Sequence, residues 1–465
     1  MKYIKKIAIS VIGLLLAIIF ISCSSNENDV NNVNTDNTNE TKNEPKTYKD
    51  MGGTEFIIAT AWMNQFFPLV AQTEWGDRIL ERYAEVEENY NCVIKPMEIV
   101  YDKMSTFLSE AMAIGEDIPE IFDTHANVAY NYYKAGMLMP YEDLETIDIN
   151  DDKWGPLQFR KYCIFDGKSY GFFTYDWETM PEVAGTLLLN MELMKKRGIS
   201  ENPYEMQEKG EWTWDNFYNL VEKCTFKEDE IYGLGIAHGL ETFITAAIFS
   251  NNGEFVKQNS EGKYYFSLTD SEALEAMEWT AKLNGSGFVK ALEGPDFVDE
   301  KCTILACESW VATHTDDWMG GKYPAANMND IASVLYPTGP KAATDRVSAY
   351  LHMNRREWFM PAYSENNKDD WGMVMNDIFE PLEGSDKQAW RDMASRQMYF
   401  YDEGYENYIH AIEGVQYDYS TQLNEVWGKI TGSMLSIYNG TKTSSQAMGE
   451  ITEAVNTVIE KELNK

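Results

Sequence analysis

Basic side chains are scarce in this chain of 465 residues, where 39 lysines and arginines stand against 75 aspartates and glutamates for a formal net charge of −36. Nucleic-acid binding needs a basic footprint that neutralises phosphates, so nucleic acid is a poor partner. Cysteine is scarce too. The residues Cys23, Cys92, Cys163, Cys224, Cys302 and Cys307 have no paired spacing, which argues against a disulfide framework. Cys302 and Cys307 stand five apart without the further ligands that a zinc site needs. Leaving Cys23 aside, these thiols read as free and buried. The histidines, His125, His238, His314, His352 and His410, are isolated. Neither a His-Glu-x-x-His metal helix nor a Gly-x-Ser-x-Gly nucleophile elbow occurs. A loop through Asp148, Asn150 and Asp152 begins like a calcium site but fails, with Lys153 where the turn glycine belongs and Phe159 where the closing glutamate belongs. Proline is infrequent, and there is no hydrophobic span beyond the N-terminal one. No metal or cofactor is expected.

What is present begins at the N-terminus. Lys2, Lys5 and Lys6 precede an uncharged, mostly apolar run from Ile7 to Ile21 that stops at Ser22-Cys23. This is the pattern of a secretory signal, and it is shorter than the roughly 20 residues of a spanning helix. Phe20-Ile21-Ser22-Cys23 resembles the lipobox of bacterial lipoproteins, with Phe20 where most members carry leucine. The resemblance implies a signal peptide over 1–22, acylation (palmitate included) at Cys23, and a cell-membrane location on the extracellular face. From Ser24 to Met51 there are eight asparagines and almost no large apolar residue before Tyr48. Such a segment cannot bury enough surface to order itself. We read 23–52 as a lipidated cysteine with a tether, reaching roughly 90 Å if extended and about 30 Å as a coil.

The remaining chain is long enough for two packed domains. Glu55 to Ala61 reads as a strand, Gly76 to Tyr90 as an amphipathic helix, Cys92 to Ile99 as a strand, Lys103 to Ile114 as a helix, and Glu120 to Asp123 as the end of a strand. Alternation of this kind predicts an α/β fold with a parallel sheet and crossover helices. Ligands of such sheets sit beyond the carboxyl ends of the strands. Ser271, with Leu274 behind it, is expected to cap a helix running to Leu283.

Seven short phrases then occur in an order that resembles the extracellular solute-binding proteins of carbohydrate-type ABC importers. They are Ile118-Pro119-Glu120-Ile121 with Ala135-Gly136-Met137-Leu138-Met139-Pro140; Asp166-Gly167-Lys168-Ser169-Tyr170-Gly171; Leu187-Leu188-Leu189-Asn190 with Lys196-Arg197-Gly198; Thr213-Trp214-Asp215-Asn216-Phe217; Ser250-Asn251-Asn252-Gly253-Glu254; Phe297 to Ile304; and Asn439-Gly440-Thr441-Lys442 leading to Ala447-Met448. Glu120 replaces the usual Asp, and Leu189 an aromatic that some relatives turn toward sugar. The resemblance implies a two-lobed, type II periplasmic-binding-protein-like fold, with a hinge of multiple crossovers and a helical C-terminal region. Lobe 1 is expected at 53–165 plus about 335–385, and lobe 2 at 172–330 plus about 386–465.

It also implies a function. The chain would capture a small molecule, a sugar or oligosaccharide, between its lobes as a monomer and deliver it to ABC permease subunits in the membrane. Sugar sites combine aromatic faces with paired hydrogen-bonding side chains. By that chemistry and the resemblance, the candidate ligand residues are Trp62 and Asn64 after the first strand, Asp123 at the same rim, and Asp176 and Trp177 past the crossover phrase. Glu308, Trp310 and Trp318 follow further on, then Trp358 near the second hinge crossing. Trp214, Trp279, Trp390 and Trp427 are expected to pack in the core. Two other readings stay open: a binding protein for a peptide, polyamine or metal chelate, and a surface carbohydrate-active enzyme, which would need two carboxylates at a defined separation. No pair among 75 acids is singled out by the sequence.

Overall fold

The structure is a computed structural model describing residues 47–71, 74–115, 118–155, 157–173, 182–313, 330–343, 347–351, 356–362, 367–382 and 401–465. Cys23 and nearly all of the tether, with Asp176, Trp177, Trp318 and Trp390, lie outside the described residues. The chain divides at Thr47, and everything below concerns the unit Tyr48–Lys465. No helix among the described residues is long and apolar enough to cross a membrane.

The first sheet grows around β1 (Thr54–Thr60), buried from Phe56 onward, as a strand covered on both faces should be. It pairs in parallel with β2 (Cys92–Glu98) and β3 (Ile121–His125). Beyond β3 comes β15 (Arg356–Pro361), a strand from much later in the chain, which runs antiparallel to β3, to β4 (Leu138–Met139) and to β7 (Gly171–Phe172). Phe172, expected at the start of lobe 2, therefore belongs to the first sheet. The crossover helix Glu74–Tyr90 turns Ile79, Tyr83, Val86 and Tyr90 inward, an apolar stripe at helical spacing. It packs on the helix Lys368–Ile378, where the Tyr90 hydroxyl donates to Asp377 Oδ2 at 2.9 Å. Glu120, the departure from the family's Asp, accepts the backbone N–H of Ile57 at 2.6 Å and so ties β3 to β1.

The second sheet has the order β12 (Val289–Ala291), β9 (Tyr232–Ile236), β13 (Cys302–Glu308), β8 (Ala184–Asn190), β14 (Ile331–Leu335). β9 is parallel to β12 and β13, whereas β8 is antiparallel to β13 and β14. On one face the helices Leu240–Ser250, Ser271–Gly285, Asn424–Tyr438 and Ser444–Glu462 close the largest core. Trp214 stacks there on Trp279 with centroids 4.6 Å apart and donates to Ser250 Oγ at 3.1 Å. Trp427 stacks on Phe255 at 5.5 Å. The five described cysteines are free and buried. The cap of the helix Ser271–Gly285 is Asp270, not Ser271, because Asp270 alone has extended backbone and its carbonyl accepts the N–H of Leu274.

Two small hairpins complete the strands, β5 (Ile164–Phe165) with β6 (Lys168–Ser169) and β10 (Val256–Gln258) with β11 (Tyr264–Phe266). The first explains the Asp-Gly-Lys-x-Tyr-Gly phrase. Asp166 and Gly167 both have positive φ, 49° and 76°, the requirement of a two-residue turn matched to strand twist. A Cβ on Gly171 would meet Cys163 Cβ and Phe359 Cε1 at 2.8 Å, so close approach of β7 to its neighbours needs glycine there.

Between the sheets the chain crosses more than once. Ala184 and Tyr350 exchange backbone hydrogen bonds at 2.9 and 3.1 Å, while Gln416 N–H donates to Ala349 and Leu351 N–H to Gln416. Three segments thus run side by side at the junction. Tyr162 grips two of them, its hydroxyl against the Leu351 carbonyl and the Asp418 carboxylate. The architecture is a two-lobed α/β fold with a multiply crossed hinge and a helical C-terminal region.

Candidate functional site

Beyond the carboxyl ends of the parallel strands lie two rims, one on each sheet, with Trp62, Asn64 and Asp123 at the first and Glu308 and Trp310 at the second. On the first, β1 delivers Trp62, whose backbone N–H donates to Thr60 Oγ1 at 2.9 Å. The half-buried indole is walled by the Tyr101 ring edge-on at 6.0 Å and by His125 at 5.8 Å. The Arg356 guanidinium lies over its face, 4.1 Å from the ring centroid. Arg356 reaches this place because β15 pairs it with His125 on β3. Asn64 is exposed on the short helix Met63–Phe66.

Asp123 does not stand free at the end of β3. It is buried within the strand. Burial pushes its carboxyl up to about 7, against the Arg356 charge and lesser pulls from the Thr60 side chain and the Ala61 amide. The Arg356 Nη1 to Asp123 Oδ2 distance is 3.9 Å, too long for a hydrogen bond. Among the described residues, neither Asp123 oxygen nor Arg356 Nη1 completes one.

Trp358, expected to touch ligand, is a core residue. It sits on the same face of β15 as Arg356 but two positions deeper, 3% exposed and covered by Phe66 at 4.7 Å and Phe379 at 5.8 Å.

On the second rim, β9 runs into His238 and Gly239, whose φ values are 59° and 107°. This turn starts the helix Leu240–Ser250. β13 ends at Glu308, and Trp310 follows on the helix Ser309–Thr313. Trp310 Nε1 donates to Glu308 Oε2 at 2.5 Å, and its ring lies 4.7 Å from that of His238. His238 Nε2 is 3.6 Å from Glu293 Oε2. Enclosure raises the Glu308 carboxyl above the ordinary glutamate range; the His238 charge and the Trp310 N–H oppose the rise, and Glu182 and Glu241 add to it. The structure thus brings Glu308 together with Trp310, and Trp62 together with Asp123.

The junction joins the two rims. Glu308 pairs with Ala184 across β13 and β8, and Ala184 is bridged to Tyr350. Arg356 follows six residues later, so its backbone is within about 20 Å of that bridge. Three residues at these rims escaped the sequence reading: Tyr101, His238 and Arg356. A usable signal existed only for Arg356, a cation that with Glu357 precedes the apolar stretch Trp358-Phe359-Met360.

No protein-family description and no curated protein matches this sequence. Solved structures do. The cyclic alpha-maltosyl-1,6-maltose binding protein from Arthrobacter globiformis aligns over 88% of this chain and 100% of its own, at 13% identity and a TM-score of 0.65. An ABC substrate-binding protein from Listeria monocytogenes, in complex with cycloalternan, aligns over 88% and 99% at 14% identity and 0.60. UgpB from Mycobacterium tuberculosis, in complex with glycerophosphocholine, aligns over 88% and 99% at 12% identity and 0.60. At these identities the likeness is one of fold. This chain therefore has the two-lobed fold of the substrate-binding proteins of ABC transporters.

Proposed function

We propose that this protein captures a sugar or oligosaccharide between its two lobes and presents it to an ABC importer. The observation that carries the reading is the pairing of aromatic rings with hydrogen-bonding side chains on both rims: Trp62 and Tyr101 with Arg356 on the first, Trp310 with Glu308 and His238 on the second. A pyranose offers apolar C–H faces to rings and hydroxyls to polar groups, and such rims answer both. Neighbours in fold that bind cyclic maltosyl-maltose and cycloalternan support the same reading. Closure on the ligand would convert binding energy into a lobe arrangement that a permease reads. The role is binding without turnover, performed by a monomer.

The N-terminal pattern supports attachment to the outer face of the cell membrane through a lipid on Cys23. A Cys23→Ala chain should leave the membrane fraction and appear in the medium or as unprocessed precursor. Unchanged membrane retention would remove the lipid from the account.

A thermal-shift panel of mono- and oligosaccharides tests the binding reading. A ligand that binds only the folded chain stabilises it by about 2.7 kcal/mol at a hundred times its Kd, which raises Tm by several degrees. A response to glycerophosphocholine, a polyamine or a peptide with none to sugars would replace the sugar, and turnover of a glycan would replace binding with catalysis.

A further inference from the structure

We propose that Arg356 is the ligand-anchoring residue of the first rim, that Trp62 and Asp123 are there to position it, and that the ligand is consequently an uncharged, hydroxyl-rich molecule. This rests on the sugar-binding reading and assigns roles within it.

Trp62 resembles a stacking platform in sequence, but the structure gives a face of its indole to a guanidinium at 4.1 Å. A cation within about 6 Å of a ring centroid is held by the ring's quadrupole, and the Tyr101 and His125 rings close in around the same indole. What Trp62 holds is therefore Arg356. Among the described residues, the exposed aromatic surface at this rim is that of Tyr101, 55% exposed.

Asp123 supplies the second constraint. Its side chain is 2% exposed against 14% for Arg356, so the carboxylate lies deeper than the arginine. Buried polar atoms without partners are uncommon and call for an explanation. Here, among the described residues, neither Asp123 oxygen nor the facing Arg356 nitrogen completes a hydrogen bond, although the Thr60 side chain and the Ala61 amide lie close enough to favour the carboxylate, and the separation from Arg356 leaves no closed, bidentate pair. An arginine so placed keeps donors for a ligand.

The charge already present sets the ligand class. Once ionised, above about pH 7, Asp123 balances Arg356, so a ligand oxygen meets a donor with little net field behind it, which suits a hydroxyl and gives no surplus attraction to a carboxylate or phosphate. Across the junction, Glu182 and Glu241 lie close enough to Glu308 to raise its carboxyl, and Glu293 faces His238; like charges at an interface select against an anionic partner.

The experiment is titration of the full chain with neutral tetrasaccharides (maltotetraose, cellotetraose, xylotetraose) and with tetragalacturonate, using wild type and the variants Arg356→Met, Arg356→Lys, Trp62→Phe and Trp62→Leu. Wild type should bind a neutral probe at least ten-fold more tightly than the acidic one. Both arginine variants should weaken that binding at least ten-fold, since lysine keeps the charge but not the fork. Trp62→Phe, which keeps a ring, should stay within about three-fold of wild type, while Trp62→Leu should fall with the arginine variants, each read as affinity per folded molecule. Preference for tetragalacturonate, or neutral-probe binding untouched in Arg356→Met, overturns the assignment while leaving sugar binding intact. Binding of no glycan by wild type overturns both.

Discussion

The two rims hold their aromatic rings by opposite means. At the first, an indole lies under a cation whose counter-charge is buried behind it; at the second, an indole N–H is bonded to a carboxylate and its ring faces a histidine amid further acids. One rim offers donors and the other acceptors. A hydroxyl-bearing ligand can serve both, because each hydroxyl donates and accepts, and neither rim alone would select a sugar.

The largest effect should come from a tryptophan belonging to neither rim. Trp214→Ala removes a ring stacked on Trp279 and a bond to Ser250, and should cost about 3–5 kcal/mol of stability in urea unfolding while leaving affinity per folded molecule unchanged. If Trp310→Ala destabilised as much, the second rim would be core and the contrast would collapse.

Next comes the pH dependence of the first rim. The folded Asp123 carboxyl sits near 7, so between about pH 4 and 7 the folded chain holds a proton that the unfolded chain has released, and this group's contribution to stability falls as pH rises. Across that window wild type should lose of the order of 3 kcal/mol relative to Asp123→Asn. Parallel unfolding curves at pH 5 and pH 8 for the two proteins would mean that Asp123 is solvated and holds nothing in place.

Smaller again is the loss of affinity in Trp310→Ala, about 1–3 kcal/mol by analogy with other ring platforms, measured by calorimetry. The smallest change in stability should be that of Tyr101→Ala. Its exposed ring leaves the apo protein within about 0.5 kcal/mol of wild type, and sugar affinity should fall measurably. An affinity loss confined to one rim would show that the ligand rests on a single lobe.

How far the sequence carried this picture follows from the range of the interactions. β1, the helix Glu74–Tyr90 and β2 are local patterns, a short apolar run or a stripe at helical spacing, and were read within a residue or two. The hairpin phrase at Asp166-Gly167 was legible because turn chemistry is local as well. The insertion of β15 between β3 and β4 was not, since nothing within Arg356–Pro361 names its partners. That one pairing decides the first rim. It buries Trp358, which read as a ligand residue near the second hinge crossing, and lays Arg356 on Trp62, a residue distant in sequence. Asp123 was placed on the right strand, but its burial depends on the same pairing.

The account's central claim is that both rims act on one ligand by closing over it. Small-angle X-ray scattering of the mature chain, alone and saturated with the sugar that gives the largest thermal shift, tests this most directly. The account predicts a smaller radius of gyration with sugar bound, and no such change with a sugar that gives no shift. Saturation by a sugar with no change in radius would contradict it.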